Sequence, residues 1–296
     1  QQVREKLYGF GGHIQIMSYS NDATTVAPLT ADSTLLAGLR AIPNIAHVQQ
    51  YTHKQGLIVA NDEYEGVLIK GVCSDYDLSL IESHIVEGTI PQFCDTASSG
   101  SIVLSQSMAE RIKAKVGDKI NIYFLDKGIR ARKQTVAAIY NTHLTEFDNA
   151  IAFTDIYTTR SIHDWKHDES SAIEIHISDY SLLEQTREDV TEIATDAAYR
   201  NEETLSVPTI EELNLHMFEW LSLLDQTVWL ILILVVCIAA FTMISGLLII
   251  ILEKSNLIGI LKAIGAKDVS IRRIFIYYAC FVIGKGIIIG NIIGFA

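Results

Sequence analysis

Two histidines stand four residues apart in His163-Asp164-Trp165-Lys166-His167, followed by Asp168 and Glu169. On a helix that spacing puts both imidazoles on one face, where they could share a metal ion. Asp164, however, takes the place of the glutamate that the HExxH hydrolase motif requires, and no apolar helical face surrounds the pair. The competing reading, a solvated loop after a short helix, needs no ligand, and no metal site is expected. Other chemistry leaves as little trace. No GxxxxGK[ST] phosphate loop occurs, and Gly284-Lys285-Gly286 lies inside an apolar run. No GxGxxG follows a strand, and neither Ser105 nor Ser107 sits on a G-x-S-x-G elbow. No catalytic residue and no cofactor of the chain's own are expected. Cys237 and Cys280 fall in apolar runs and read as small apolar residues. Cys73 and Cys94 read by default as two buried thiols, with a disulfide left open because spacing alone cannot show that their α-carbons approach.

The composition, too, is unlike that of a soluble enzyme. The 296 residues are 49% hydrophobic yet carry a formal net charge of −12, with a mean hydropathy of +0.25. Dividing the chain after Gln226 separates the two properties. Residues 1–226 hold 17 Lys+Arg and 33 Asp+Glu, net −16, whereas residues 227–296 hold 6 and 2, net +4. An acidic water-soluble part is joined to a membrane part. With 18 Gly, 4 Pro and 4 Cys, collagen-like, disordered and disulfide-framework classes are excluded. Nucleic acid is excluded as a partner, because phosphate contacts need a positive field that the soluble part lacks.

Thr227 to Leu252 runs 26 residues without a charge, more than the roughly 20 needed to cross a bilayer core. Residues 274–296 form a second apolar run, broken by Lys285. A charge there either makes a polar contact inside a helix bundle or snorkels toward water. Between the runs, residues 253–273 carry Lys254, Lys262, Lys267, Arg272 and Arg273 against Glu253 and Asp268. Residues 201–226 carry six acids and no Lys or Arg. Positive charge favours the cytoplasmic side, so 253–273 is expected inside and 1–226 outside. A chain that starts at Gln1 with no export signal leads to the expectation that one membrane helix precedes it and another follows in the whole protein.

The soluble part reads as short strands and isolated helices. His13–Ser18 alternates as a strand, and Val48–Ala60 and Val67–Val72 are strands separated by an Asn61-Asp62-Glu63 turn. Asp32, Ser105 and Asp155 read as helix N-caps. Ile173, Ile175 and Ile177 alternate with Glu174 and His176, predicting a strand buried on one face. An amphipathic helix over 210–224 is expected to run straight into the first span. The predicted organisation is thus an α+β extracytoplasmic domain over 1–208, a connecting helix over 209–226, membrane helices over 227–252 and 274–296, and a cytoplasmic segment over 253–273. Within the last, Leu257, Ile258, Leu261 and Ile264 form one helical stripe and Gly265 a stop. Two readings of that stripe stand: a helix lying on the bilayer surface, or one inserting into a partner's groove.

The stretch EKSNLIGILKAIGAKDVSIRRIF resembles the cytoplasmic segment of type VII ABC-transporter permeases, a group that includes MacB, FtsX and the lipoprotein-releasing LolC/LolE permeases. Gly11-Gly12-His13-Ile14, Gly71, Glu87-Gly88 before Pro91, and the run from Ser101 through Gly117-Asp118 to Phe153 resemble the family's periplasmic domain. The resemblance implies a four-span inner-membrane permease with residues 1–226 in the periplasm. It implies that Glu253, Lys254, Ile258, Gly259, Leu261, Lys262, Ile264 and Gly265 couple to a separate ABC ATPase, which would hold the ATP and Mg. A second permease subunit, the lipid bilayer, a lipoprotein substrate and a periplasmic carrier are the other implied partners. Lipoprotein release is the favoured role, with MacB-type efflux or FtsX-like signalling as alternatives. At the outer end of the first span, Met217, Phe218, Trp220, Leu221 and Leu224 are expected either to border an acyl-chain site or to pack against a preceding helix.

Overall fold

The helices of the soluble part begin where their caps dictate. In the computed structural model, which describes residues 8–19, 26–125, 128–213 and 215–295, Asp32 Oδ1 accepts from Leu35 N at 2.5 Å and starts the helix Ser33–Arg40. Ser105 Oγ accepts from Met108 N at 3.1 Å, and Asp155 Oδ1 from Thr158 N at 2.6 Å. Each cap satisfies an amide that the first helical turn leaves without a partner. The helices they open are Gln106–Arg111 and Ile156–His163. A longer one, Leu183–Asn201, turns Val190, Ala194 and Ala197 inward.

The described strands are β1 (Ile14–Ser18), β2 (Leu29–Thr30), β3 (Ile45–Ala60), β4 (Glu63–Val72), β5 (Ile85–Gly88), β6 (Ser101–Ser105), β7 (Lys119–Leu125), β8 (Ile129–Tyr140), β9 (Ile151–Asp155), β10 (Glu169–Ser170), β11 (Ala172–Ile177) and β12 (Leu205–Ser206). β3 and β4 form a hairpin of ten paired positions. Its two-residue loop, Asn61-Asp62, holds both residues at positive φ, the geometry that matches the twist of paired strands. The main sheet runs β12-β1-β11-β3-β4-β9-β6-β8-β5, and β7 pairs with both β3 and β8. That double pairing closes β3, β4, β9, β6, β8 and β7 into a ring.

Inside the ring lies one apolar cluster, containing Ile58, Ile69, Ile102, Leu104, Ile120, Phe124 and Val136. The sheet continues outward from β3 through β11 and β1. A second cluster packs there under the helices Ser33–Arg40 and Leu183–Asn201, with Leu35, Leu39, Ile173, Ile175 and Val190 at its centre. A third, including Phe10, Tyr51, Tyr76, Tyr140 and Phe153, forms a separate aromatic cluster.

β11 departs from its predicted pattern. Alternation implied one buried face, but Glu174 is 0% exposed and His176 is half-buried. β11 is interior to the sheet, paired with β1 on one side and β3 on the other, and both of its faces are covered.

The remaining residues form a unit of their own, His216–Ala296. Over the predicted connecting helix, the described residues on both sides of position 214 are helical. Residues Ile210–Leu213 form one short helix, and a single 39-residue helix, Leu215–Glu253, carries the rest together with the first apolar run. The helices Ser255–Ala263 and Asp268–Phe295 follow. Gln226–Glu253 and Val269–Ile292 are long and apolar enough to cross a membrane.

Candidate functional site

The segment between the two apolar helices is built by backbone geometry. Glu253 ends the long helix, and the amide of Lys254 still donates to Ile250 O at 3.0 Å. Lys254 then departs from helical geometry at ψ 14°, and a new helix runs from Ser255 to Ala263. It stops in a Schellman arrangement. Gly265 N donates to Lys262 O and Ala266 N to Leu261 O, both at 3.0 Å, with Gly265 at φ +94°. A side chain at position 265 would be strained there, so the glycine is a structural requirement.

On this helix Leu257, Ile260 and Ile264 are 54%, 58% and 80% exposed, while Ile258 and Leu261 are half-buried. The exposed apolar edge follows i, i+3, i+7 spacing, one face of a helix. Ile260 belongs to that edge and was absent from the predicted stripe, which drew its line one residue to the side. Lys262 sits in the last turn, and Lys254 lies 3.8 Å from Glu253 on the surface. Above Gly259, no atom among the described residues lies within 4 Å of where a β-carbon would sit.

Lys285 places its ammonium 4.7 Å from the ring centroid of Phe281, one turn back on its own helix. Met217, Phe218, Trp220, Leu221 and Leu224 lie on the helix Leu215–Glu253, and their side chains lie outside the described residues.

A second constellation lies inside the soluble unit. Lys70 and Glu174, on β4 and β11, form an ion pair of 2.7 Å with both side chains buried. Glu174 also accepts from Tyr76 OH at 2.5 Å and Gln49 Nε2 at 3.0 Å. Lys70 donates a further bond to the carbonyl of Phe10 at 2.7 Å, and its ammonium faces the rings of Tyr51 and Tyr76 at 4.3 and 5.1 Å. Burial pushes the Lys70 ammonium below the ordinary lysine range, and Glu174 opposes that push. Sequence pattern gave Lys70 and Glu174 no role, since each reads alone as the polar residue of a strand.

The two histidines at metal-ligand spacing have different surroundings. His163 ends its helix, stacks on Trp165 at 4.0 Å and sets Nε2 3.0 Å from His53 O, whereas His167 is exposed. The ring at the helix end is partly covered, while Asp164, Lys166, His167 and Asp168 after it are exposed, as expected of a solvated loop following a short helix. Among the described residues no group of three or more His, Cys, Asp or Glu converges as a metal site. Cys73 and Cys94 are both free thiols. Cys73 is buried, donates to Gln50 O at 3.2 Å, and is pushed up to about 12 by burial. Cys94 is exposed, contrary to the default of two buried thiols.

The chain thus combines an α+β unit with two helices apolar and long enough to cross a membrane and, between them, a short helix with an exposed apolar edge. A family model for the MacB-like periplasmic core domain matches residues 1–193, and one for the FtsX-like permease C-terminal region matches residues 229–296. The chain belongs to the MacB/FtsX/Lol family of ABC-transporter permeases. It is 23% identical over 295 residues to the lipoprotein-releasing system transmembrane protein LolC of Neisseria meningitidis, covering 95% of this chain and 66% of that one. To LolE of Haemophilus influenzae it is 20% identical over 312 residues, covering 99% and 70%. The chain spans about two thirds of the length of the curated relatives it matches. Among solved structures, the extracellular domain of the ABC-type transporter YknZ from Gram-positive bacteria gives a TM-score of 0.48 at 12% identity, covering 66% of this chain and 98% of that one. The periplasmic region of MacB from Actinobacillus actinomycetemcomitans gives 0.48 at 15%, covering 73% and 98%.

Proposed function

We propose that this chain is the permease subunit of a lipoprotein-releasing ABC transporter in the bacterial inner membrane. A separate ATPase hydrolyses ATP in the cytoplasm, and the helix Ser255–Ala263 takes up its movement. The observation that carries this reading is the exposed edge Leu257, Ile260 and Ile264 on a helix fixed at its end by Gly265. Apolar side chains held at helical spacing fit a groove on a protein partner. Residues 1–226 would face the periplasm, where the soluble unit hands an acylated substrate to a carrier. A second permease subunit would complete the pair. The names of the LolC and LolE relatives support lipoprotein release as the substrate assignment.

The test is depletion in the host. Lipoproteins that should reach the outer membrane are expected to accumulate in the inner membrane. Drug sensitivity without that accumulation would replace the assignment with efflux, and loss of envelope-hydrolase control without either would replace it with signalling.

A further inference from the structure

The soluble unit is crossed by two stretches of chain that matter mechanically: a first limb, residues 8–13, and a return limb, residues 208–213. The return limb leads in sequence to the long apolar helix. The two limbs touch each other. Ile210 N donates to His13 O at 3.0 Å, and at the adjoining start of β1 Gln15 N donates to Pro208 O at 3.0 Å and Ile14 bridges to Thr209. Tyr8 OH and Tyr180 OH both donate to Glu211 Oε1, at 3.3 and 2.8 Å. The glycine pair fits this contact. A β-carbon on Gly11 would lie 2.6 Å from Ile210 Cδ1, and Gly12 holds φ +67° with Ile175 O 3.0 Å from its β-carbon position.

Hydrogen bonds between two limbs would hold them to each other, not to the body of the domain. The body is joined to the limbs by β1, which continues from the first limb and pairs with β11, by Tyr180 and Arg187, which hold Glu211 and Glu212 at 2.8 and 2.7 Å, by His13 N, which donates to Ile175 O at 2.8 Å, and by Lys70. Lys70 stands on β4, two strands away from β11, where its ion-pair partner lies. Its ammonium is shared between Glu174 and the Phe10 carbonyl. A buried ammonium with two oxygen partners makes strong, charge-assisted bonds, and each oxygen gives it a reason to stay. Gln15, on β1, reinforces the link: its amide donates to Gly11 O at 2.8 Å and its carbonyl accepts from Tyr51 OH at 3.2 Å.

We propose that Lys70 is a positioning residue that latches the first limb, and through it the return limb, to the interior of the sheet. A displacement of either limb is then delivered to β4 and β11 together. That this displacement is the transport stroke rests on the permease reading above; the latch itself does not.

The test uses the full-length permease assembled with its ATPase and partner subunit in lipid nanodiscs, read first by amide hydrogen exchange. Lys70→Met removes the bond to Phe10, and Lys70→Met with Glu174→Met also removes the buried charge left behind, which protects the fold. In the double variant, exchange at Gly12, His13 and Ile210 is expected to rise about tenfold or more relative to the β7–β8 amides. Glu174→Gln retains the lysine donor and is expected to change the Gly12, His13 and Ile210 amides and the β7–β8 amides in parallel. Unchanged protection at Gly12, His13 and Ile210 in the double variant, or a selective loss in Glu174→Gln, would overturn the latch. The second reading is ATP-dependent release of a purified lipoprotein from proteoliposomes. The double variant is expected to hydrolyse ATP while releasing at least about tenfold less. Release at the wild-type level would overturn the proposal that the latch transmits the stroke. A wild-type complex that releases no lipoprotein would instead overturn the substrate assignment and leave the exchange result to decide the latch.

Discussion

The amide of Ala266 donates to the carbonyl of Leu261 at 3.0 Å, across a turn in which Gly265 holds φ +94°. This one relationship fixes where the short helix ends and therefore where Ile264 stands. Gly265→Ala forces a β-carbon into left-handed geometry, at a cost of about 1 kcal/mol. The soluble unit is expected to melt as before, because Gly265 belongs to the other unit. ATPase association measured by co-purification is expected to weaken. Undiminished association would show that the end of the helix does not position the edge.

Gly259 makes the opposite case. Glycine inside a helix is about 0.8 kcal/mol worse than alanine, and among the described residues no atom lies within 4 Å of where a β-carbon at 259 would sit. Gly259→Ala is expected to stabilise the isolated helix and to weaken ATPase binding, if a partner's backbone or side chain occupies the open space. A variant that binds the ATPase as well as wild type would assign the glycine no part in docking.

Charge on the exposed edge separates docking from folding. Ile264→Glu, at a position 80% exposed, is expected to leave the fold intact and to release the ATPase. Ile260→Glu should behave in the same way. Leu261→Glu lies at a half-buried position and is expected to disturb the helix as well as the contact. Circular dichroism and co-purification together distinguish the two patterns. Full transport in the Ile264 and Ile260 variants would remove the edge from the mechanism.

His13 makes the soluble unit sensitive to acid. Its Nδ1 accepts the amide of Ile177 at 3.3 Å, and its ring stacks on Tyr8 at 4.4 Å. Burial, with the nearby His176 adding repulsion, lowers its pKa from 6.5 to about 4. An unfolded chain therefore binds a proton below about pH 6.5 that the folded chain refuses until about pH 4. Stability is expected to be complete above that window and to fall as pH drops through it. His53, also lowered to about 4 by burial, acts in the same direction. Denaturant melts from pH 7 to 4 should show the slope, and His13→Phe should make it shallower. An identical slope in that variant would place the proton elsewhere.

The cysteines give a quick check of the packing. Maleimide is expected to modify Cys94 in the native protein, and Cys73 only after unfolding, because its thiol is buried and held protonated. Native modification of Cys73 would contradict its burial in the aromatic cluster beside Tyr51 and Tyr76.

Features set by neighbours in sequence were readable before any coordinates. Asp32, Ser105 and Asp155 cap the helices they precede, and Gly265 stops the helix it follows. Each of these effects acts within about one helical turn. The Lys70–Glu174 pair was not readable, because its members stand 104 positions apart and neither has a local partner to announce it. The pattern at Ile173–Ile177 even pointed the wrong way: a carboxylate between isoleucines looks like a solvent face until a buried cation is found opposite it. Ile260 was missed for a smaller reason. Choosing which apolar positions form an edge requires the other side of the helix to be known, and that comes from packing.

The bridge between Ile14 and Thr209 has one more consequence. Bridged residues in antiparallel chains stand roughly 5 Å apart, so nearly 200 residues of folded domain leave and return through a gap about one strand wide. Such a domain can be exchanged for another, or enlarged, without altering the spacing of the chain on either side of it. The soluble unit is in that sense a graft, and a chimera carrying a different domain between positions 14 and 209 would keep the same footing.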